Sequence, residues 1–143
     1  MLQKMGYTWV SSKYPAHPLG TVGQPPDHKV FAAIVAAQAQ AQPFVYPSGL
    51  VEVPMSPVSD VATLRSGRWP LESFLEAVRA GVTWAIEQRA VFCFLAHPSC
   101  LAVADPTFRT IEMICDLVRT AGDMASITDL DTVARRANRT VRE

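Results

Sequence analysis

The chain has 143 residues, 13 basic and 13 acidic side chains, 49% hydrophobic residues and 18% charged residues. That composition fits one globular domain with a single core and excludes a disordered chain. A formal charge of zero leaves no electrostatic footprint for nucleic acid or an anionic membrane surface, and no apolar run approaches the ~20 residues of a membrane helix.

The N-terminus, Met1-Leu2-Gln3-Lys4-Met5-Gly6, has no apolar signal segment, so read literally the chain stays in the cytoplasm. Leu2–Gly6 reads as the last turn of a helix with Gly6 as its cap, followed by a strand at Tyr7–Val10. The chain therefore begins in the middle of a helix-to-strand unit. Ser11 to Pro26 is a loop punctuated by Pro15, Pro18, Gly20, Gly23, Pro25 and Pro26. His17 and His28 lie in or beside it at a spacing that matches no metal motif. Asp27 caps a predicted alanine-rich helix from His28 to about Gln40, which Pro43 stops.

Phe44–Tyr46 and Leu50–Val53 are strand-like, with Pro47-Ser48-Gly49 between them. Alternation sends Glu52 away from Val51 and Val53, toward a polar cavity or solvent, and the plainer reading is an edge-strand carboxylate. A proline-containing loop, Pro54 to Asp60, follows. Leu71 to Gln88 has the clearest helical period, with Leu71, Phe74, Leu75, Val78, Val82, Ala85 and Ile86 on one stripe. Asp105-Pro106 starts another helix, whose stripe is Phe108, Ile111, Ile114, Cys115 and Val118 and whose end is Gly122. Ala125–Ile127 reads as a short strand. Thr128 and Asp131 resemble a capping box before a last helix, about Leu130 to Asn138. The basic cluster Arg135, Arg136, Arg139 and Arg142 is a solvated helix face, because no aromatic residues interleave it. Strands alternating with helices argue for an α/β fold with parallel strands and outer helices.

Val91–Leu95 is an unbroken apolar run, as in a parallel strand buried on both faces. It ends at His97-Pro98, where proline removes a donor and holds the preceding residue extended. His97 thus stands at the C-terminal tip of a strand, where binding and catalytic groups collect in such folds. Cys93 and Cys115 read as small core residues. Cys100 falls three residues after His97, but no elbow motif marks it as a nucleophile.

Tyr46-Pro47-Ser48-Gly49-Leu50-Val51-Glu52-Val53-Pro54-Met55-Ser56-Pro57-Val58-Ser59-Asp60, then Leu95-Ala96-His97-Pro98, then Asp105-Pro106-Thr107-Phe108 resemble the later part of the polysaccharide deacetylase (NodB-homology) domain. The resemblance implies the C-terminal half of a distorted (β/α) barrel, with residues 1–143 as a single partial domain lacking the metal-binding half. It implies hydrolysis of C–N bonds: N-acetyl groups of a carbohydrate, or small cyclic amides and ureides in some relatives. It further implies His97 of Leu95-Ala96-His97 as general acid, with Leu95 and Pro98 shaping the substrate pocket. The family's metal, usually zinc, sits on an Asp and two His. The Thr-Phe-Asp-Asp-Gly and His-x-x-x-His motifs that supply them are absent here, as is the family's Asp-Trp pair near Ser11–Tyr14. No metal ligand is assigned in this chain, and the chain is expected to be inactive alone. The alternative is a non-catalytic binding module derived from such a barrel. Half a barrel leaves open sheet edges, so self-association is also expected.

Overall fold

The computed structural model describes residues 2–140, so Arg142 of the basic cluster lies outside the described residues. The fold is mixed α/β. A turn of 3-10 helix (Leu2–Met5) leads into β1 (Trp9–Val10), and the long loop then leads to α1 (His28–Gln38). β2 (Phe44–Val45) and β3 (Val51–Glu52) follow, then a wide π-type turn (Val61–Ser66) and α2 (Leu71–Glu87). The chain ends with α3 (Pro98–Ala104), α4 (Arg109–Ala121), a 3-10 turn (Gly122–Met124) and α5 (Leu130–Thr140). No helix among the described residues is long and apolar enough to cross a membrane.

β3 is the middle of a three-stranded sheet of order β1-β3-β2. It pairs parallel with β1 (Trp9 opposite Val51) and antiparallel with β2 (Val45 opposite Val51). The expectation of parallel strands thus holds for β1 and β3 and fails for β2. The connection from Val45 to Val51 is a tight turn in which the Gly49 and Tyr46 N–H groups bond Tyr46 O and Leu50 O. It is too short for the crossover that parallel pairing requires. The edge-strand reading of Glu52 also fails, because β3 has a neighbour on each side.

The central buried strand is not Val91–Leu95. From Leu50 to Asp60 every residue is buried except Met55, whereas Val91 to Ala96 are all half-buried. Val91–Leu95 runs extended beside Ser56–Ser59 and touches it as a ladder only at a parallel bridge between Ser59 and Leu95. Side chains take the backbone groups that a ladder would use. The Val91 N–H donates to Gln42 Oε1 (2.8 Å), and the Val91 carbonyl accepts from Gln38 and Gln42 (both 3.1 Å). The Cys93 N–H donates to Ser56 Oγ (2.9 Å), and only the Cys93 carbonyl accepts a backbone bond, from Ser56 N. Pro54 and Pro57 bring no N–H to the facing segment.

The main core joins α1, α2, α3 and α4 through Ile34, Phe74, Val78, Val82, Leu101 and Met113, with Val58 and Trp69 between them. Gly81 lets α2 lie against the Phe92 ring, where a Cβ would sit 2.6 Å from Phe92 Cε2. A second cluster places Ala134 of α5 on Val51 and Val53 of the sheet.

Three further expectations are corrected. Ala125–Ile127 is not a strand, and Ile127 is exposed. Asp105 does not cap a helix at Pro106. Its buried carboxylate instead accepts from Arg109 N, Thr110 N and Thr110 Oγ1 at 3.0, 2.8 and 2.7 Å, which fixes the start of α4 at Arg109. Asp129, not Thr128, caps α5, through a 2.7 Å bond from Thr132 N. The seven residues of α3 had no helical reading in the sequence.

Candidate functional site

The parallel direction of β1, β3 and Val91–Leu95 brings the ends of these segments to one edge of the sheet. Ser11–His17, Met55–Asp60 and Leu95–His97 gather there, the position at which parallel sheets place their sites.

His97 is held extended (φ −112°, ψ 119°) ahead of Pro98, which occupies the first turn of α3. Its carbonyl starts that helix by accepting from Cys100 N (2.9 Å) and Leu101 N (3.0 Å). Its N–H and its ring both turn to Asp60. The His97 N–H donates to Asp60 Oδ2 at 2.6 Å, and Nδ1 lies 2.9 Å from Asp60 Oδ1. Asp60 is wholly buried, whereas the His97 side chain is 47% exposed. Asp60 Oδ1 also accepts from Val61 N at 2.8 Å, which ties it to the start of the π-type turn. A carboxylate oxygen can only accept, so Nδ1 carries the hydrogen of this contact and the outer nitrogen, Nε2, is left to the solvent side.

That side is a cleft of about 440 Å³ between the π-type turn and α3. Val61, Leu64 and Arg65 form one wall, and His97, Ser99 and Cys100 the other. Burial, the Asp60 charge and a hydrogen bond to Asp60 push the Cys100 thiol up. A thiol pushed up in this way opposes a thiolate nucleophile. Burial also pushes the Cys93 thiol up.

A second polar group flanks this edge. The Tyr14 hydroxyl donates to the Pro57 carbonyl, and His17 Nε2 reaches the same oxygen. Burial pushes the Tyr14 hydroxyl up, against hydrogen bonds with Ser59 that pull it down. Below it, Glu52 is fully buried and saturated. Its Oε1 accepts from Ser12 N (2.7 Å) and Lys13 N (2.9 Å), and its Oε2 from Ser12 Oγ (2.9 Å) and Tyr46 Oη (3.1 Å). Burial pushes the Glu52 carboxyl up, but these hydrogen bonds outweigh it and hold the group below its ordinary value. Glu52 thus binds the loop after β1 to β3.

Of the residues singled out in the sequence, His97 and Cys100 line the cleft. Leu95 is half-buried at its bridge with Ser59, Pro98 is exposed on the first turn of α3, and neither belongs to the cleft wall. The sequence around Asp60 marks no role for it by itself. The one available signal was an aspartate directly after an apolar, proline-containing segment, where a buried carboxylate needs a partner.

Among the described residues, no three His, Cys, Asp or Glu side chains are arranged to hold a metal ion. The residues present therefore do not fit a metal site by themselves. What they form is a half-exposed imidazole whose tautomer and orientation are fixed by a buried carboxylate, a device for giving or taking a proton at a cleft. Comparison with known proteins gave no matching family model, no matching curated protein and no matching solved structure.

Proposed function

We propose that this chain carries the proton-delivering part of a metal-dependent amide hydrolase of the polysaccharide deacetylase type. The observation that carries the reading is the His97–Asp60 pair at the mouth of a cleft. Asp60 holds the imbalance of charge when the imidazole is protonated, and His97 Nε2 gives its proton to the departing amine nitrogen. The sequence likeness around Tyr46–Asp60 and Leu95–Pro98 supports the same assignment. Parallel segments at Trp9–Val10, Val51–Glu52 and Leu95, with helices packed around them, support a partial (β/α) barrel. The half-exposed row Val91–Ala96 supports an edge that pairs with further strands or a second copy. Zinc or another divalent ion belongs to this reading through ligands that the described residues do not supply.

The test is acetate release from N-acetylglucosamine oligomers, and ammonia release from small ureides, by the protein isolated from its native cell with added zinc. His97→Asn should lower kcat about 10²-fold or more, as loss of a general acid does. Equal turnover by wild type and His97→Asn would overturn the assignment.

A further inference from the structure

Arg65 stands on the wall of the His97 cleft, in the last turn of the π-type segment. It has no ion-pair partner among the described residues, where the pairs are His97–Asp60, Arg109–Glu72, Arg119–Asp116 and Arg135–Asp131. Among the described residues no hydrogen bond ties its guanidinium down either. Its charge is nonetheless felt across the cleft at the Cys100 thiol. The surroundings of this one cation are mostly apolar: Val61, Leu64, Val103 and Ala104. A guanidinium against apolar walls, opposite a fixed imidazole, is the arrangement that captures and aims an anion.

We infer that Arg65 is a substrate-binding residue, and that the cleft takes a small amide bearing a carboxylate, with the carboxylate on Arg65 and the scissile amide at His97. The inference rests on the amide-hydrolase reading for the second contact and on the cleft alone for the first. A carboxylate is favoured over a phosphate by charge. A single guanidinium balances one negative charge in a bidentate pair, and Arg65 is the one Lys or Arg side chain in the cleft lining. The volume of about 440 Å³ is near the lower end of small-molecule sites, which suits a compact acid.

The probes are N-acetylglycine and its neutral amide, N-acetylglycinamide, titrated into the full chain while the His97 and Arg65 side-chain resonances are followed by NMR. The carboxylate probe should bind about tenfold more tightly than the amide, as expected for one charge-assisted contact. Arg65→Gln should bring the two affinities within about twofold, and Arg65→Lys should keep part of the preference. Arg65 is exposed, so neither variant disturbs the core. Equal binding of the two probes by wild type, no binding of either, or an undiminished preference in Arg65→Gln would each overturn the inference. The readout is binding, so a preference that depends on Arg65 supports the inference even where His97→Asn leaves turnover unchanged, a result that defeats only the hydrolase reading.

Discussion

Glu52 offers a sharp contrast between two substitutions. In Glu52→Gln, the amide oxygen can replace Oε1 and accept from Ser12 N and Lys13 N. The amide nitrogen can replace Oε2 and donate to Ser12 Oγ and Tyr46 Oη, because both hydroxyls can turn from donor to acceptor. All of the contacts survive in neutral form, and the buried charge with its desolvation cost is gone. The expected loss is about 1 kcal/mol, the difference between charged and neutral hydrogen bonds after that relief. Glu52→Ala removes every contact, the carboxylate and one buried methylene, although the freed N–H groups of Ser12 and Lys13 are near solvent and regain water. The expected loss there is about 3–5 kcal/mol. Urea unfolding at pH 7 reads both values from the shift in midpoint. The pH dependence supplies a second arm. Because the folded value of Glu52 is depressed, its stabilisation is complete above the unfolded carboxyl value of about 4.3 and disappears as the pH falls through the folded value. Wild type should therefore lose stability over that acid range faster than Glu52→Gln. A Glu52→Gln variant as unstable as Glu52→Ala would refute the reversal of the hydroxyls and locate the stabilisation in the charge itself.

Two other outcomes follow from local geometry. Arg89 sits just past α2 at φ 52°, and Arg89 N and Ala90 N close the helix on Ile86 O (3.2 Å) and Ala85 O (2.8 Å). This is a position where glycine is the favoured residue, so Arg89→Gly should raise stability by up to about 1 kcal/mol, read as a higher Tm; an unchanged or lower Tm would contradict it. With iodoacetamide, exposed Cys115 should react first and the two thiols pushed up by burial should lag. Asp60→Asn should then speed Cys100 several-fold while leaving Cys93 unchanged, measured by peptide mass mapping; an unchanged Cys100 rate would break the link between the thiol and Asp60.

Much of the helical scaffold was legible because its signals are local. The stripe on α2 and the cap at Asp27, which accepts from Lys29 N and Val30 N at 2.9 and 3.0 Å, lie where the pattern puts them. What was illegible depends on partners far along the chain. Val91–Leu95 has the hydropathy of a doubly buried strand, yet Gln38, Gln42 and Ser56 take its backbone groups from distant elements. Glu52 became central through β2, whose return direction was set by a short turn and not by hydropathy. α3 was missed because it has seven residues, opens on proline and has no side-chain cap. His97 could be placed at a segment end from its proline alone. Its carboxylate could not, since Asp60 lies 37 residues earlier and nothing in its neighbours names the pairing.

The central claim is that Asp60 fixes the imidazole of His97 for proton transfer. Nitrogen-15 NMR of the histidine side chains at a pH where His97 is neutral tests it most directly. The Nδ1–H tautomer should dominate in wild type, with that proton in a hydrogen bond, and Asp60→Asn should abolish the bias. A dominant Nε2–H tautomer in wild type, or the same tautomer ratio in Asp60→Asn, would contradict the account.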